Sequence, residues 1–169
     1  MKEKEAARPA TDEFWGLVEP LRTRLYGFIR KSLNGRPEAD DVYQETVLHA
    51  FQYQASFRRD GDFRAWIYGI AHNEIRRCLR SWRKEAAPAA GGFPFVSPAD
   101  ETAPLIGEIF RFAAALKPKE REVFFLFYES GFSIIEIKHI TGIGEGHIKF
   151  LLHQARQHVR QALGAVHER

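Results

Sequence analysis

A chain of 169 residues, 44% hydrophobic and 28% charged, has the make-up of a folded globular protein and excludes a disordered tail. Its formal net charge of +3 conceals a polarity: residues 37–54 carry Glu38, Asp40, Asp41 and Glu45 with no Lys or Arg, whereas residues 72–84 carry Arg76, Arg77, Arg80, Arg83 and Lys84 against Glu74 alone. A single cysteine, Cys78, excludes an intrachain disulfide, and no apolar run approaches the ~20 residues of a membrane span. The segment MKEKEAARPATDE lacks the apolar core of a signal peptide. A cytoplasmic protein without membrane insertion is expected, with two oppositely charged surfaces for two partners.

Apolar residues recur at helical spacing almost throughout and no segment alternates as a strand, which predicts an all-α fold. Thr11 is placed to cap a first helix, with Asp12 and Glu13 in its first turn. Its stripe runs Phe14, Val18, Leu21, Leu25, Phe28, widened by Trp15, Leu17 and Ile29. Asn34-Gly35 ends that helix and Pro37 starts the next, about 38–54, which buries Ala39, Val42, Tyr43, Val47, Ala50 and Phe51. A separate face of the second helix carries Asp41, Gln44, Glu45 and Leu48.

The loop FRRDGD leads into a third helix, about 63–84. Phe63, Trp66, Ile67, Ile70, Cys78, Leu79 and Trp82 form its core-facing stripe. Its other faces carry Arg64, Tyr68, His72, Asn73, Arg76, Arg77, Arg80 and Lys84 with one acid among them. Arginines interleaved with an aromatic and an amide suit a nucleic-acid backbone with exposed bases; a solvated amphipathic helix is the plainer alternative. Residues 85–104 then hold four of the eight prolines and a Gly-Gly pair, and read as a linker between two small helical domains, 12–84 and 105–163. The FPFV within the linker is unusually apolar.

Helices at about 105–116 and 118–130, the second opening on Pro118, precede Gly131. Ser133 and Glu136 make a capping-box pattern for a short helix stopping at Thr141-Gly142, and a longer helix, about 145–163, follows. That layout is a helix-turn-helix, although any tight αα corner gives the same pattern. Ile137, Ile140, Ile143, Ile148 and Leu151 supply the contacts of two crossing helices, and Gly142 the permissive backbone of the turn. In such a unit the second helix enters the major groove. Glu145, His147, Lys149, Phe150, His153 and Gln154 would then face bases, with Arg156 and Arg160 near phosphates. Five of the seven histidines lie within 139–167, but none is spaced as a helical metal site. No phosphate loop, paired carboxylates or nucleophile elbow suggests an enzyme, and no cofactor is expected.

DDVYQETVLHAF, FRRDGDFRAWIYGIAHNEIRRCLR and LKPKEREVFFLFYESGFSIIEIKHITGIGEGHIKFLLHQAR, in this order, resemble signature regions of bacterial sigma factors. The resemblance is to the small extracytoplasmic-function (ECF) class and covers roughly residues 12–163. It implies a dissociable subunit of RNA polymerase, with region 2 at 12–84 and region 4 at 105–163. Asp41, Gln44, Glu45 and Leu48 would contact the clamp helices of the largest subunit of core RNA polymerase. Phe57, Arg58, Arg59, Asp60, Phe63 and Asn73 would surround a flipped non-template base of the −10 element, with Arg76, Arg77 and Arg80 on that strand's phosphates. Glu145, His147, Lys149, Phe150, His153, Gln154 and Arg156 would meet the −35 element of promoter DNA. Many members of the class are held inactive by an anti-sigma factor, which such a chain would also bind. A sigma-like adaptor that binds an anti-sigma factor or polymerase without initiating transcription is the alternative. The chain departs from the family pattern at Lys138, where a small residue is usual, at Gly144, where Ser or Thr is common, and in the reading helix, KFLLHQAR, which has few Arg and Ser. Phe150 and Leu151 there are suited to thymine methyls or to a protein partner.

Overall fold

The computed structural model describes residues 9–58, 61–84, 111–113 and 115–167. The expected pocket residues Arg59 and Asp60, the linker 85–104 with its FPFV stretch, and most of the helix expected at 105–116 lie outside the described residues. Seven α-helices are present among the described residues: α1 (Pro9–Val18), α2 (Arg22–Ser32), α3 (Glu38–Gln52), α4 (Phe63–Lys84), α5 (Pro118–Tyr128), α6 (Ile134–Thr141) and α7 (Glu145–His167). None is long and apolar enough to cross a membrane.

The single helix expected at the start is two. Pro20 lacks a backbone N–H and its ring opposes the carbonyl four residues earlier. The chain therefore passes through a 3-10 turn, Glu19–Leu21, between α1 and α2. Helix α1 begins at Pro9, so Thr11 lies inside its first turn and is not the cap. Trp15 and Leu17, expected to widen the buried stripe, are exposed.

The other punctuation falls where local chemistry places it. At the end of α2 the amide of Gly35 donates to the Arg30 carbonyl (2.8 Å) and that of Asn34 to the Lys31 carbonyl (3.0 Å). Asn34 (φ 58°) and Gly35 (φ 71°) adopt the left-handed backbone this terminus needs. Pro118 opens α5, and Gly142 (φ 71°) closes α6. The capping box forms in full: the Glu136 amide donates to the Ser133 hydroxyl (3.2 Å) and the Ser133 amide to the Glu136 carboxylate (2.7 Å). Hydrogen bonds from Ser133 hold the Glu136 carboxyl below its ordinary 4.5. This stabilisation is therefore complete above that value and fades as pH falls through the depressed one. Ser133→Ala is expected to cost about 1 kcal/mol in urea unfolding at pH 7, with a smaller difference from the parent in strong acid.

The first half of the core packs Phe14, Leu25, Phe28 and Ile29 against Ala39, Val42 and Ala50 of α3 and Ile67, Ala71 and Ile75 of α4. The second packs Val123 and Leu126 of α5 with Ile137 and Ile140 of α6 and Ile148, Leu152 and Ala155 of α7. The two halves also meet each other, α2 on α5 and α4 on α6. Tyr68 and His72, which the periodicity of α4 places among its polar faces, are buried by that meeting. One helix's pattern cannot register a face covered by the other half of the chain.

Candidate nucleic-acid interface

Helix α4 divides by face. Ile67, Ala71 and Ile75 are fully buried, while Asn73, Arg76, Arg77 and Arg80 are exposed. The helix starts on Asp62, whose carboxylate accepts from the Arg64 amide (2.9 Å) and whose carbonyl accepts from the Trp66 amide (3.0 Å). That cap fixes the junction between α4 and the preceding loop. The loop closes as a turn, the Gly61 amide donating to the Arg58 carbonyl at 2.8 Å. A Cβ at Gly61 would stand 3.0 Å from that carbonyl oxygen, so glycine suits the turn sterically.

Phe63 is buried in an aromatic cluster, its ring centroid 6.0 Å from Phe14, 5.3 Å from Phe57 and 5.5 Å from Trp66. Phe57 is half-buried and also packs on Trp66 at 5.3 Å. The structure thus brings Phe57 and Phe63 together, with Arg58 exposed beside them. Asn73 and Arg76 lie about 2.8 and 3.6 turns beyond Phe63 along α4.

Arg77 faces away from Arg76 and Arg80 in its contacts: its guanidinium reaches Glu74 at 2.8 Å and Glu45 at 3.8 Å. It lines a cleft of about 380 Å³ between α3 and α4 with Asp41, Glu45, Cys78 and Trp82. Asp41, Gln44 and Leu48 are exposed along the outer face of α3, and Glu45 is half-exposed at the cleft edge. Arg36, which the sequence pattern did not single out, covers the cleft end with its guanidinium 4.2 Å from the Trp82 ring centre. Burial, with Glu38 nearby, pushes the Cys78 thiol up to about 11. Its alkylation by iodoacetamide at pH 8 is expected to be about tenfold slower than that of free cysteine, because a smaller thiolate fraction outweighs a stronger nucleophile.

On α7, Ile148, Leu151, Leu152, Ala155 and Val159 face the core. Leu151 is therefore unavailable to a thymine methyl. At about 100° per residue, the side opposite this stripe is centred on Gly146, Phe150, His153 and Gln157, with Lys149 and Gln154 flanking. Gln157 belongs to no motif, and its position follows only once the buried stripe is known. Phe150 is 55% exposed and its ring meets His147 edge-on at 6.2 Å. Glu145 is engaged by Lys138 of α6 at 2.9 Å, and that ammonium draws the Glu145 carboxyl below its ordinary range. Lys138 thus ties the two helices at their turn. Arg156, though exposed, donates back to the Leu152 carbonyl at 3.1 Å.

The family described as Sigma-70 region 2 matches residues 17–86, and Sigma-70, region 4 matches residues 113–161. The ECF RNA polymerase sigma factor EcfG of Rhodopseudomonas palustris is 36% identical over 129 residues, covering 74% of this chain and 71% of that protein. SigW of Bacillus subtilis, also an ECF RNA polymerase sigma factor, is 28% identical over 175 residues, covering 95% of this chain and 94% of that protein. Among solved structures, the sigma factor RpoE in complex with the anti-sigma factor NepR from Bartonella quintana superimposes with a TM-score of 0.78 at 24% identity, covering 90% of this chain and 97% of that one. CnrH in complex with the cytosolic domain of CnrY gives 0.68 at 24% identity, covering 92% and 90%. At such identities the superpositions speak to the fold.

Proposed function

Given that the chain belongs to the ECF class of sigma-70 factors, through regions 2 and 4, we propose that it docks on core RNA polymerase through α3, captures the melted −10 strand along α4, and reads the −35 element with α7. The observation that carries this is the division of α4, whose apolar side is spent on the core while Asn73, Arg76 and Arg80 stand exposed in a row. Unstacking a base costs a few kcal/mol, and nothing in the scheme requires nucleotide hydrolysis by this chain. Stacking on an aromatic is worth about 1–3 kcal/mol per base, and phosphate contacts add to it, so capture offsets opening.

Phe63 is packed on three aromatic rings, which suits it to the floor of a base pocket, with the exposed part of Phe57 as the group a flipped base reaches first and Asn73, about 15 Å further along α4, placed for the strand beyond it. On α7, the exposed Phe150 ring beside the bare backbone of Gly146 fits a thymine methyl in the major groove. The outer face of α3, with Asp41, Gln44, Glu45 and Leu48, is the surface offered to the clamp helices of the largest polymerase subunit. An anti-sigma factor is proposed as a further partner, in keeping with the complex that RpoE of Bartonella quintana forms with the anti-sigma factor NepR. Such a protein works in the cytoplasm.

The test is transcription in vitro with core polymerase and a library of promoter DNA. Specific start sites dependent on added protein support the reading. Failure to bind core, or core binding without specific starts, defeats it, and the second result favours the adaptor role.

A further inference from the structure

The turn between α6 and α7 carries a charge pair whose purpose the helix-turn-helix layout leaves open. Lys138 of α6 holds Oε1 of the Glu145 carboxylate at 2.9 Å, and both side chains are about half-exposed. Glu145 is the first residue of α7 and the only acid in the sequence from 145 to 167. The other fixed charges there are Lys149, Arg156 and Arg160. A carboxylate on a helix that approaches phosphates is repelled by them, so this one calls for a reason.

The surroundings of Glu145 are bare. Gly144 and Gly146 flank it, and a Cβ added at either would meet nothing within 4 Å. Packing inside the chain therefore does not ask for glycine at these places, and Gly146 weakens the first turn of its helix. Glycines with no internal reason suit a place where another body comes close. In a helix-turn-helix the first residues of the second helix meet base edges, while the first helix crosses the phosphate backbone. Glu145 then stands among base edges with no side chain on either side, and Lys138 lies between it and the phosphates.

The lysine also limits what Glu145 can read. Its ammonium draws the carboxyl below its ordinary 4.5, so the group is ionised at neutral pH and only accepts hydrogen bonds. In the major groove guanine shows two acceptors, thymine an acceptor and a methyl, and adenine a donor beside an acceptor. Cytosine alone shows a donor, its N4 amine, with no acceptor next to it. With Oε1 on Lys138, Oε2 is left for that amine. A plain tie between two helices would account for the ion pair, but not for the glycines on both sides of it.

We propose that Glu145 selects a cytosine within the −35 element and that Lys138 is its positioning residue. Lys138 pins the carboxylate at the mouth of the groove and screens it from the phosphates. This deepens the proposed reading of the −35 element by α7 and rests on it. It also gives a purpose to two departures from the family pattern, Lys138 and Gly144.

The test uses the full chain bound to core polymerase and a pool of promoter DNA randomised across the −35 element. Sequencing of the bound fraction gives the base preference at each position. The unmodified complex is expected to prefer cytosine about tenfold at one position, and to lose that preference for a cytosine analogue lacking only the amine. Glu145→Ala should erase the cytosine preference and leave those at other positions. Lys138→Met should weaken it several-fold, and Lys138→Arg, which can still hold the carboxylate, should return it. If circular dichroism shows that Glu145→Ala has not folded, the analogue on the unmodified chain makes the same test. A Lys138→Met chain that is less stable but keeps its cytosine preference reduces the pair to a tie between helices and overturns the proposal. A uniform loss of affinity in that variant, with the salt slope down by about one, marks a plain phosphate contact and overturns it too. So do −35 preferences that include no cytosine dependent on Glu145. A complex that starts transcription with no base preference anywhere in the element overturns the −35 reading by α7 itself.

Discussion

Reversing Asp41 and Glu45 to arginine together is expected to weaken core polymerase binding about a hundredfold, with promoter opening lost only as a consequence. Like charges set against each other across a contact cost several kcal/mol, and about 2.8 kcal/mol is a factor of a hundred. Asp41 is exposed and Glu45 half-exposed, so the exchange leaves the core untouched. It does remove the partner that Arg77 and His49 find in Glu45, at 3.8 Å each, and circular dichroism serves as the folding control. Competition for core against an unmodified chain measures the effect. Asn73→Ala is the complementary probe, expected to leave that competition unchanged while reducing opened promoter by several-fold, the scale of one lost hydrogen bond. Equal effects of both changes on both steps would remove the assignment of α3 to polymerase and α4 to DNA.

The second large effect is one of salt. Each arginine that neutralises a phosphate contributes about one unit to the slope of log affinity against log salt. Arg76→Ala with Arg80→Ala should therefore reduce the slope for fork-junction DNA, measured on the polymerase complex, by about two. Arg77→Ala should change it by much less, since that guanidinium already sits between Glu74 and Glu45. Sequence alone ranks the three arginines as equals, and the structure separates them. A slope loss at Arg77 as large as at Arg76 would show that its ion pairs break on binding and that the resting geometry does not govern the contact.

Most helix boundaries were legible because each rests on chemistry within a few residues. The Ser133–Glu136 box, the left-handed Asn34 and Gly142, and Pro118 at the head of α5 act on their own backbone and need no neighbour. The helix-turn-helix was legible for the same reason, as Ile137, Ile140, Ile148 and Leu151 face one another across a turn of a few residues. The break at Pro20 is equally local but is hidden in the sequence, because the apolar stripe runs through it in phase. Leu151 fits both the core and the groove side by its spacing, and only the packed helix pair resolves it.

The helical character of the chain and most of its helix boundaries, the division of charge between α3 and α4, and the order of motifs that marks the family are all written in the linear chain. Those depend on spacing along one chain segment, where the helical period converts sequence distance directly into direction. Which polar faces remain available depends on how the helices pack. Tyr68 and His72 are covered because the second half folds onto α4, Arg77 turns toward α3, and Lys31 and Glu129, ninety-eight residues apart, meet at 2.6 Å. Pairings between distant segments depend on how whole helices approach one another, and the pattern of a single helix carries no record of its neighbour.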